Sequence, residues 1–292
     1  MRYKKTFGEK VFDAFVYLLL SLLMIATFYP LYYIFVASLS SVSEIAKHGT
    51  FMLFPKGFTL ESYKAVFQNE MILTGLRNTI FYVILGTAIN MILTIFAAYG
   101  LSRKWLKGRK IIMFGIVLTM FFSGGLIPSF MVVQNLGLYN TIWALLLPGA
   151  MSAWNLIMMR TYFMGLPVSL EESARIDGAN DFQILFRVIL PTAKPILAVM
   201  VLFYAVGHWN SWFSASIYLQ NRELYPLQLI LREILIQGRV ADFGGNSANV
   251  THQVAKNLKY ATIIVSTIPI LLVYPFIQKY FVKGVMLGSL KE

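Results

Sequence analysis

Cysteine is absent from the 292 residues. Disulfide scaffolds, thiolate nucleophiles and thiolate zinc sites are therefore excluded. Charge is almost as scarce: Asp, Glu, Lys and Arg make up 13% of the chain, about half the roughly 25% of ordinary soluble domains. A soluble protein of this length could not cover its surface with so little charge. Phosphate-cradling loops are missing too, with no Gly-x-x-x-x-Gly-Lys-Ser/Thr and no Gly-x-Gly-x-x-Gly turn. Only three histidines occur, His48, His208 and His252, at spacings that suit no metal site. No paired carboxylates or nucleophile–base set stand out, so no catalytic residue and no metal ligand is expected.

What is abundant is apolar surface. Hydrophobic residues make up 58% of the chain, far too many for a disordered segment. Runs free of Asp, Glu, Lys and Arg cover 14–43, 78–102, 111–159, 195–221 and 260–278. Crossing about 30 Å of hydrocarbon takes roughly 20 apolar residues. The 49-residue run 111–159 is long enough for two crossings, with a hairpin at Gln134–Asn140 between them. The expectation is an all-α integral membrane protein with six transmembrane helices, near 13–37, 76–101, 111–133, 141–162, 195–215 and 260–282. The first apolar stretch is too long for a signal peptide and lacks a clean cleavage site.

Lys and Arg in the connections orient the spans. The N-terminal tail carries four, the connection Ser102–Lys110 five, the connection Arg160–Lys194 four and the C-terminal end three. Both termini and the short basic loop are thus expected in the cytoplasm, with residues 1–12 as a tail and 13–292 as the transmembrane domain. The excess of 25 basic over 13 acidic residues reports topology. No basic groove with interleaved aromatics forms, so no nucleic-acid partner is expected.

The connection 160–194 differs from its neighbours. It holds four positive and four negative charges between two uncharged spans. Ser169 followed by Glu172 reads as a capping box opening a helix, and Gly178 ends it. A second segment, Phe182–Leu190, places Phe182, Leu185, Phe186 and Ile189 on one face; Pro191 and Pro195 close it and open the next span. An amphipathic connector lying on lipid is one reading. Interfacial helices usually carry a Lys/Arg-rich polar face, and the balanced charge here suits a protein partner better.

Glu171-Glu172-Ser173-Ala174-Arg175-Ile176-Asp177-Gly178-Ala179, followed by Phe186-Arg187-Val188-Ile189-Leu190-Pro191, closely resembles the EAA loop of ABC-importer permeases. Glu172, Ala174, Gly178, Leu190 and Pro191 fall in register, with Ser173 for the usual Ala and Val188 for Ile. Asp177-Gly178-Ala179 and Lys194-Pro195 are similar to the maltose-type carbohydrate branch. Phe58–Tyr63 with Arg77-Asn78-Thr79 looks like the first external loop of that branch. Gly124–Pro128 and Gly137–Thr141 resemble a subgroup serving larger or uronate-containing oligosaccharides.

The resemblance implies a permease subunit that translocates a carbohydrate received from an extracytoplasmic binding protein, in a bacterial cytoplasmic membrane. Segment 165–191 would be the coupling helix–Gly–helix unit seated in a cytoplasmic ATPase, with Glu171, Glu172, Ala174, Asp177, Gly178, Ala179, Phe186, Leu190 and Pro191 as its residues. Glu172 would pair with an Arg of that ATPase. The implied partners are a second homologous permease, two ATPase copies and the binding protein. This chain would bind no cofactor; ATP and Mg would sit in the ATPase.

Polar and aromatic residues inside the spans mark a candidate route: Gln134, Asn135, Trp154, Asn155, Tyr204, His208, Trp209, Asn210 and Trp212. Aromatic faces and amides suit sugars, although Trp and Tyr also gather at membrane interfaces whatever the function. The external loop 216–259 is either a solvated connector or, by the resemblance, an arm toward the binding protein. The rival class is an ion-coupled secondary transporter. It would need buried ionisable relays and internal repeats, and neither is evident.

Overall fold

The computed structural model describes residues 6–49, 51–237, 258–272 and 275, and every regular element among them is helical. His252, much of the expected loop 216–259, the end of the expected sixth span and the three C-terminal lysines fall outside these residues. The chain divides into two compact units, Met1–Glu70 with Glu233–Thr267, and Met71–Arg232 with Ile268–Glu292.

In the first unit, α1 (Phe7–Ser38) opens with a complete capping box. The Thr6 hydroxyl accepts from the Glu9 amide at 3.4 Å, and the Glu9 carboxylate accepts from the Thr6 amide at 2.7 Å. Residues 7–12 of the expected tail are therefore helical. Pro30 removes one backbone donor without ending the helix, as spanning helices tolerate. Most of the apolar side chains of α1 are exposed, the surface of a helix that meets lipid or another chain. Two short helices follow, α2 (Val42–His48) and α3 (Glu61–Gln68). Tyr32 Oη donates to the Leu53 carbonyl at 2.6 Å, and the Tyr33 ring meets Tyr260 edge-on at 6.0 Å.

The second unit is organised around α4 (Glu70–Ser102), the other helix long and apolar enough to span alone. Its buried positions Ile72, Gly75, Thr79, Tyr82, Gly86, Asn90, Thr94 and Ala98 recur every three or four residues, which draws one small, partly polar stripe down the helix. Such stripes suit close helix packing, because in lipid the driving force is contact and hydrogen bonding between helices. Around it lie α5 (Arg109–Phe121), α6 (Leu126–Asn135), α7 (Trp143–Leu146) and α8 (Ala153–Met164). Next come α9 (Val168–Ile176), α10 (Asp181–Gln183), a π-helical stretch Ile184–Ile189 and α11 (Leu190–Thr192). Then follow α12 (Lys194–Trp209), α13 (Trp212–Tyr218) and α14 (Leu227–Arg232). The core is built from Ala98, Leu156, Met159, Ile184, Leu185 and Met200, each essentially without exposed surface.

Three of the expected spans are interrupted. The third bends by 116° between α5 and α6, where Gly125 takes φ +85°. The fourth, expected as one helix over 141–162, breaks between Leu146 and Ala153, because Pro148 and Gly149 withdraw from helical hydrogen bonding there. The fifth ends at Trp209 instead of continuing to 215, and it turns by 85° from the segment before it at Ala193. That turn lies between Pro191 and Pro195.

Candidate coupling segment and translocation cavity

The coupling segment is shaped by local chemistry. Helix α9 begins at Val168 with Pro167 (φ −57°) as its cap and no side-chain cap bond. This corrects the expected Ser169–Glu172 capping box: Pro167 pre-sets the helical entry, so Ser169 already lies inside the helix. The complete capping box is instead Asn180 with Gln183, each accepting the other's amide proton at 2.9 Å. Between the helices Gly178 takes φ +79°. The Ala179 amide donates to the Ala174 carbonyl at 2.9 Å and the Gly178 amide to Arg175 at 3.0 Å. These two bonds form a Schellman motif, which gives Gly178 its role and places Ala174 and Ala179 together against the core.

An ionic network ties the segment to the second span. Arg103 pairs with Glu171, and the two side chains are 7% and 17% exposed. The Arg103 guanidinium lies 4.4 Å from the Tyr99 ring centroid, and its Nε donates to Ser102 Oγ at 3.0 Å. Arg175 donates to Glu171 at 3.3 Å and to Asp181 at 2.7 Å, bracing the two sides of the Gly178 turn. Glu172 is exposed and has no ion pair among the described residues. Asp177 and Pro191 are also exposed. Leu185 and Ile189 are buried, while Phe182 and Phe186 keep 67% and 53% of their surface and touch Phe96 by their ring edges. Leu190 packs, partly buried, on the core. The segment is thus held through Glu171, Phe182 and Phe186 and leaves the carboxylates of Glu172 and Asp177 exposed.

A cavity of about 680 Å³ lies between α4, the break in the fourth span and α12. Asn90 is the keystone of its wall. Its amide donates to the carbonyls of Gly149 at 2.9 Å and Ala150 at 2.7 Å, and its Oδ1 meets His208 Nε2 at 2.6 Å. Those two bonds occupy carbonyls freed by the helix break, which a membrane interior requires. Tyr204 Oη joins Thr94 Oγ1 at 2.7 Å and accepts from the Ser152 amide at 3.3 Å. Gly86 makes room for the imidazole: a Cβ there would lie 2.4 Å from His208 Nε2.

Of the nine candidate route residues, Asn155, Tyr204 and His208 line this cavity together. The others lie elsewhere. Gln134 and Asn135 are exposed in the last turn of α6, and Asn210 is exposed at the end of α12. Trp154 is 58% exposed. Trp209 is buried outside the cavity lining, and Trp212 is covered by the Arg232 guanidinium at 3.8 Å. Sequence reasoning missed Gly86, Asn90, Thr94 and Ser152. The signal available was Gly86, Asn90 and Thr94 at i, i+4 and i+8 in an otherwise apolar span. It also counted Arg103 only as a topological charge. Among the described residues no group of three or more His, Asp or Glu clusters as metal ligands would.

Near the N-terminal end of α4, Asn78 donates to the carbonyls of Glu223 at 2.6 Å and Tyr225 at 3.1 Å. Thr79 accepts from the Leu227 amide at 2.8 Å, and Tyr82 donates to Leu224 at 2.7 Å. The Asn78-Thr79 pair therefore fastens the start of the connection that follows α13.

The model of the binding-protein-dependent transport system inner membrane component family matches residues 72–287. The chain belongs to that family. YtcP of Bacillus subtilis, a polygalacturonan/rhamnogalacturonan transport system permease protein, is 42% identical over 97% of this chain and 99% of its own length. Protein LplC of the same organism is 40% identical over 98% and 97%. A chain from the crystal structure of a bacterial ABC transporter that imports the acidic polysaccharide alginate superposes with a TM-score of 0.88 at 34% identity, over 96% of this chain and 99% of that one. The permease is thus an ABC-type transport component, as its EAA-like segment implies, and the ion-coupled alternative falls away.

Proposed function

We propose that this permease is one of two homologous membrane subunits of an ATP-driven importer that receives an oligosaccharide from an extracytoplasmic binding protein. The observation that carries the reading is the segment 165–191, braced from within by Arg103–Glu171–Arg175–Asp181 while Glu172 stays exposed without an ion pair among the described residues. A remote motor shifts a two-state carrier only through contacts that differ between its states. A rigid, charge-bearing knob continuous with two spans supplies such a contact. ATP and Mg bind in the cytoplasmic ATPase pair, and this chain does no hydrolysis. The carbohydrate class is supported by the substrates named for the relatives. The six spans are α1, α4, the bent pair α5–α6, the broken pair α7–α8, α12 and the helix beginning at Leu258, with both termini in the cytoplasm of a bacterial cell. Lys/Arg asymmetry supports that orientation.

The test is reconstitution of the assembled importer in vesicles with its binding protein. The wild type should couple ATP hydrolysis to oligosaccharide uptake, and Glu172→Lys should abolish uptake while the permease stays in the membrane. Normal uptake by Glu172→Lys would remove the coupling assignment.

A further inference from the structure

We infer that the cavity between the α4–α5 connection and the start of α9 binds the phosphate of an anionic phospholipid, through Lys104 and Arg109. The inference rests on the membrane placement of α4 and α5 proposed above, and it adds a ligand that the transport reading does not contain.

Only residues 103–108 join α4 to α5. At roughly 3.3–3.6 Å per residue, a connection that short holds its charges at the membrane surface. Arg103, Lys104, Arg109 and Arg175 line the cavity against two carboxylates, Glu171 and Glu172. Glu171 is already held by Arg103 and Arg175. The Lys104 side chain has no hydrogen bond or ion pair among the described residues, and Arg109 uses one donor, on the Arg103 carbonyl at 3.3 Å. A surplus of unpaired positive charge in a cleft attracts an anion. Helix α5 supplies an independent observation. It opens with Arg109 and Lys110, has no acidic residue in its first turn and gains no side-chain bond from its cap, Gly108. Cations at the positive end of a helix dipole are unfavourable, so helix stability does not account for them. An anion bound there offsets both the dipole and the side chains.

The rest of the lining is apolar and exposed. Trp105, Met164 and Val168 keep 59%, 47% and 56% of their surface, beside a buried floor of Phe163 and Ile189. Trp is favoured at headgroup level because its ring is amphipathic, and basic pockets on the cytoplasmic side of spanning helices suit lipid headgroups. The cavity of about 260 Å³ is smaller than the roughly 300–1,000 Å³ of small-molecule sites. It admits a headgroup and leaves the acyl chains outside, against the exposed apolar side chains. An acidic protein surface would meet the cations and leave that apolar rim uncovered; a lipid covers both.

The experiment uses the whole importer purified in detergent, with bound lipid counted by native mass spectrometry. Phosphatidylglycerol should bind about tenfold tighter than phosphatidylcholine, as two basic side chains at a membrane surface require. Lys104→Gln combined with Arg109→Gln should remove that preference. Lys107→Gln combined with Lys110→Gln takes away the same charge outside the cavity lining and should keep the preference within about threefold. Glycerol phosphate, a headgroup without chains, should not displace the lipid. In the unaltered complex, phosphatidylglycerol with a diazirine high on one acyl chain should crosslink within 163–168 more than its phosphatidylcholine counterpart, a readout that needs no variant to fold. Equal binding or crosslinking of the two lipids, equal losses in the two double variants, or displacement by glycerol phosphate would overturn the inference. So would a Lys104→Gln and Arg109→Gln complex that keeps phosphatidylglycerol but sheds the ATPase, since the cations would then serve a protein. Absence of ATP-driven uptake by the wild type would overturn the importer reading alone, and the lipid comparison would still decide the phosphate site.

Discussion

Arg103, just past the C-terminal end of α4, is paired with Glu171 in the first turn of α9, across 68 residues of chain. Arg103 also stacks on Tyr99, so one guanidinium joins a spanning helix to the segment expected to meet the ATPase. Removing one partner of a buried pair strands the other charge and costs about 3–5 kcal/mol. Solvent reaches the Glu171 side, which places this pair near the lower end. Glu171→Gln should therefore lower the thermal midpoint of the purified complex and loosen ATPase retention on affinity resin. Arg103→Lys should not restore either, because an ammonium loses the planar stack and fork. An unchanged midpoint and full retention in Glu171→Gln would show that the pair is dispensable.

Gly178 offers a cleaner perturbation. A Cβ at this position would meet nothing within 4 Å, so substitution there tests backbone conformation alone. A left-handed residue other than Gly costs roughly 1–2 kcal/mol, and Asn pays least because its side chain bonds locally. Gly178→Val should open the Schellman turn and reduce sugar transported per ATP hydrolysed, whereas Gly178→Asn should stay close to wild type. Measuring both fluxes in the same vesicles checks this, and identical ratios for Val and Asn would sink it.

The coupling segment was legible because its determinants are local. Gly178, the balanced charges and the apolar positions all act within one or two turns. Even so the helix start was misplaced by two residues, since the Ser169-x-x-Glu172 pattern and Pro167 both signal an N-terminus and the proline prevails. The cavity was less legible for a complementary reason. Asn90 acts on Gly149 and Ala150, about 60 residues away, and on His208, 118 residues away, and no periodicity encodes those meetings. Trp154, Trp209 and Trp212, singled out in the same region for their chemistry, lie outside the cavity lining.

Gly86 faces His208 so closely that an added methyl would lie 2.4–2.8 Å from three ring atoms. The imidazole cannot withdraw without giving up Asn90. Overpacking of this kind costs about 1–3 kcal/mol, so Gly86→Ala should lower stability and slow uptake. His208→Ala in the same chain should recover part of the stability, since contacting sites are not additive. Losses that simply add in the double variant would show that the two residues do not press on one another.

Asn90 joins α4 both to the break in the fourth span and to α12. Its amide holds the two carbonyls released by the break at Pro148–Gly149, and its Oδ1 takes His208. Asn90→Asp preserves the shape but removes both donors and sets a carboxylate facing two carbonyls. Each buried acceptor left unsatisfied costs about 1–3 kcal/mol, and lipid provides no water to compensate. The expected result is a complex that assembles poorly, with protease cleavage appearing within 147–152. Asn90→Gln should restore part of the bonding, because the donors survive on a longer side chain. Should Asn90→Asp assemble and transport like the wild type, the broken span would have to be held by its own backbone, and the Asn90 bonds would contribute nothing to the cavity wall.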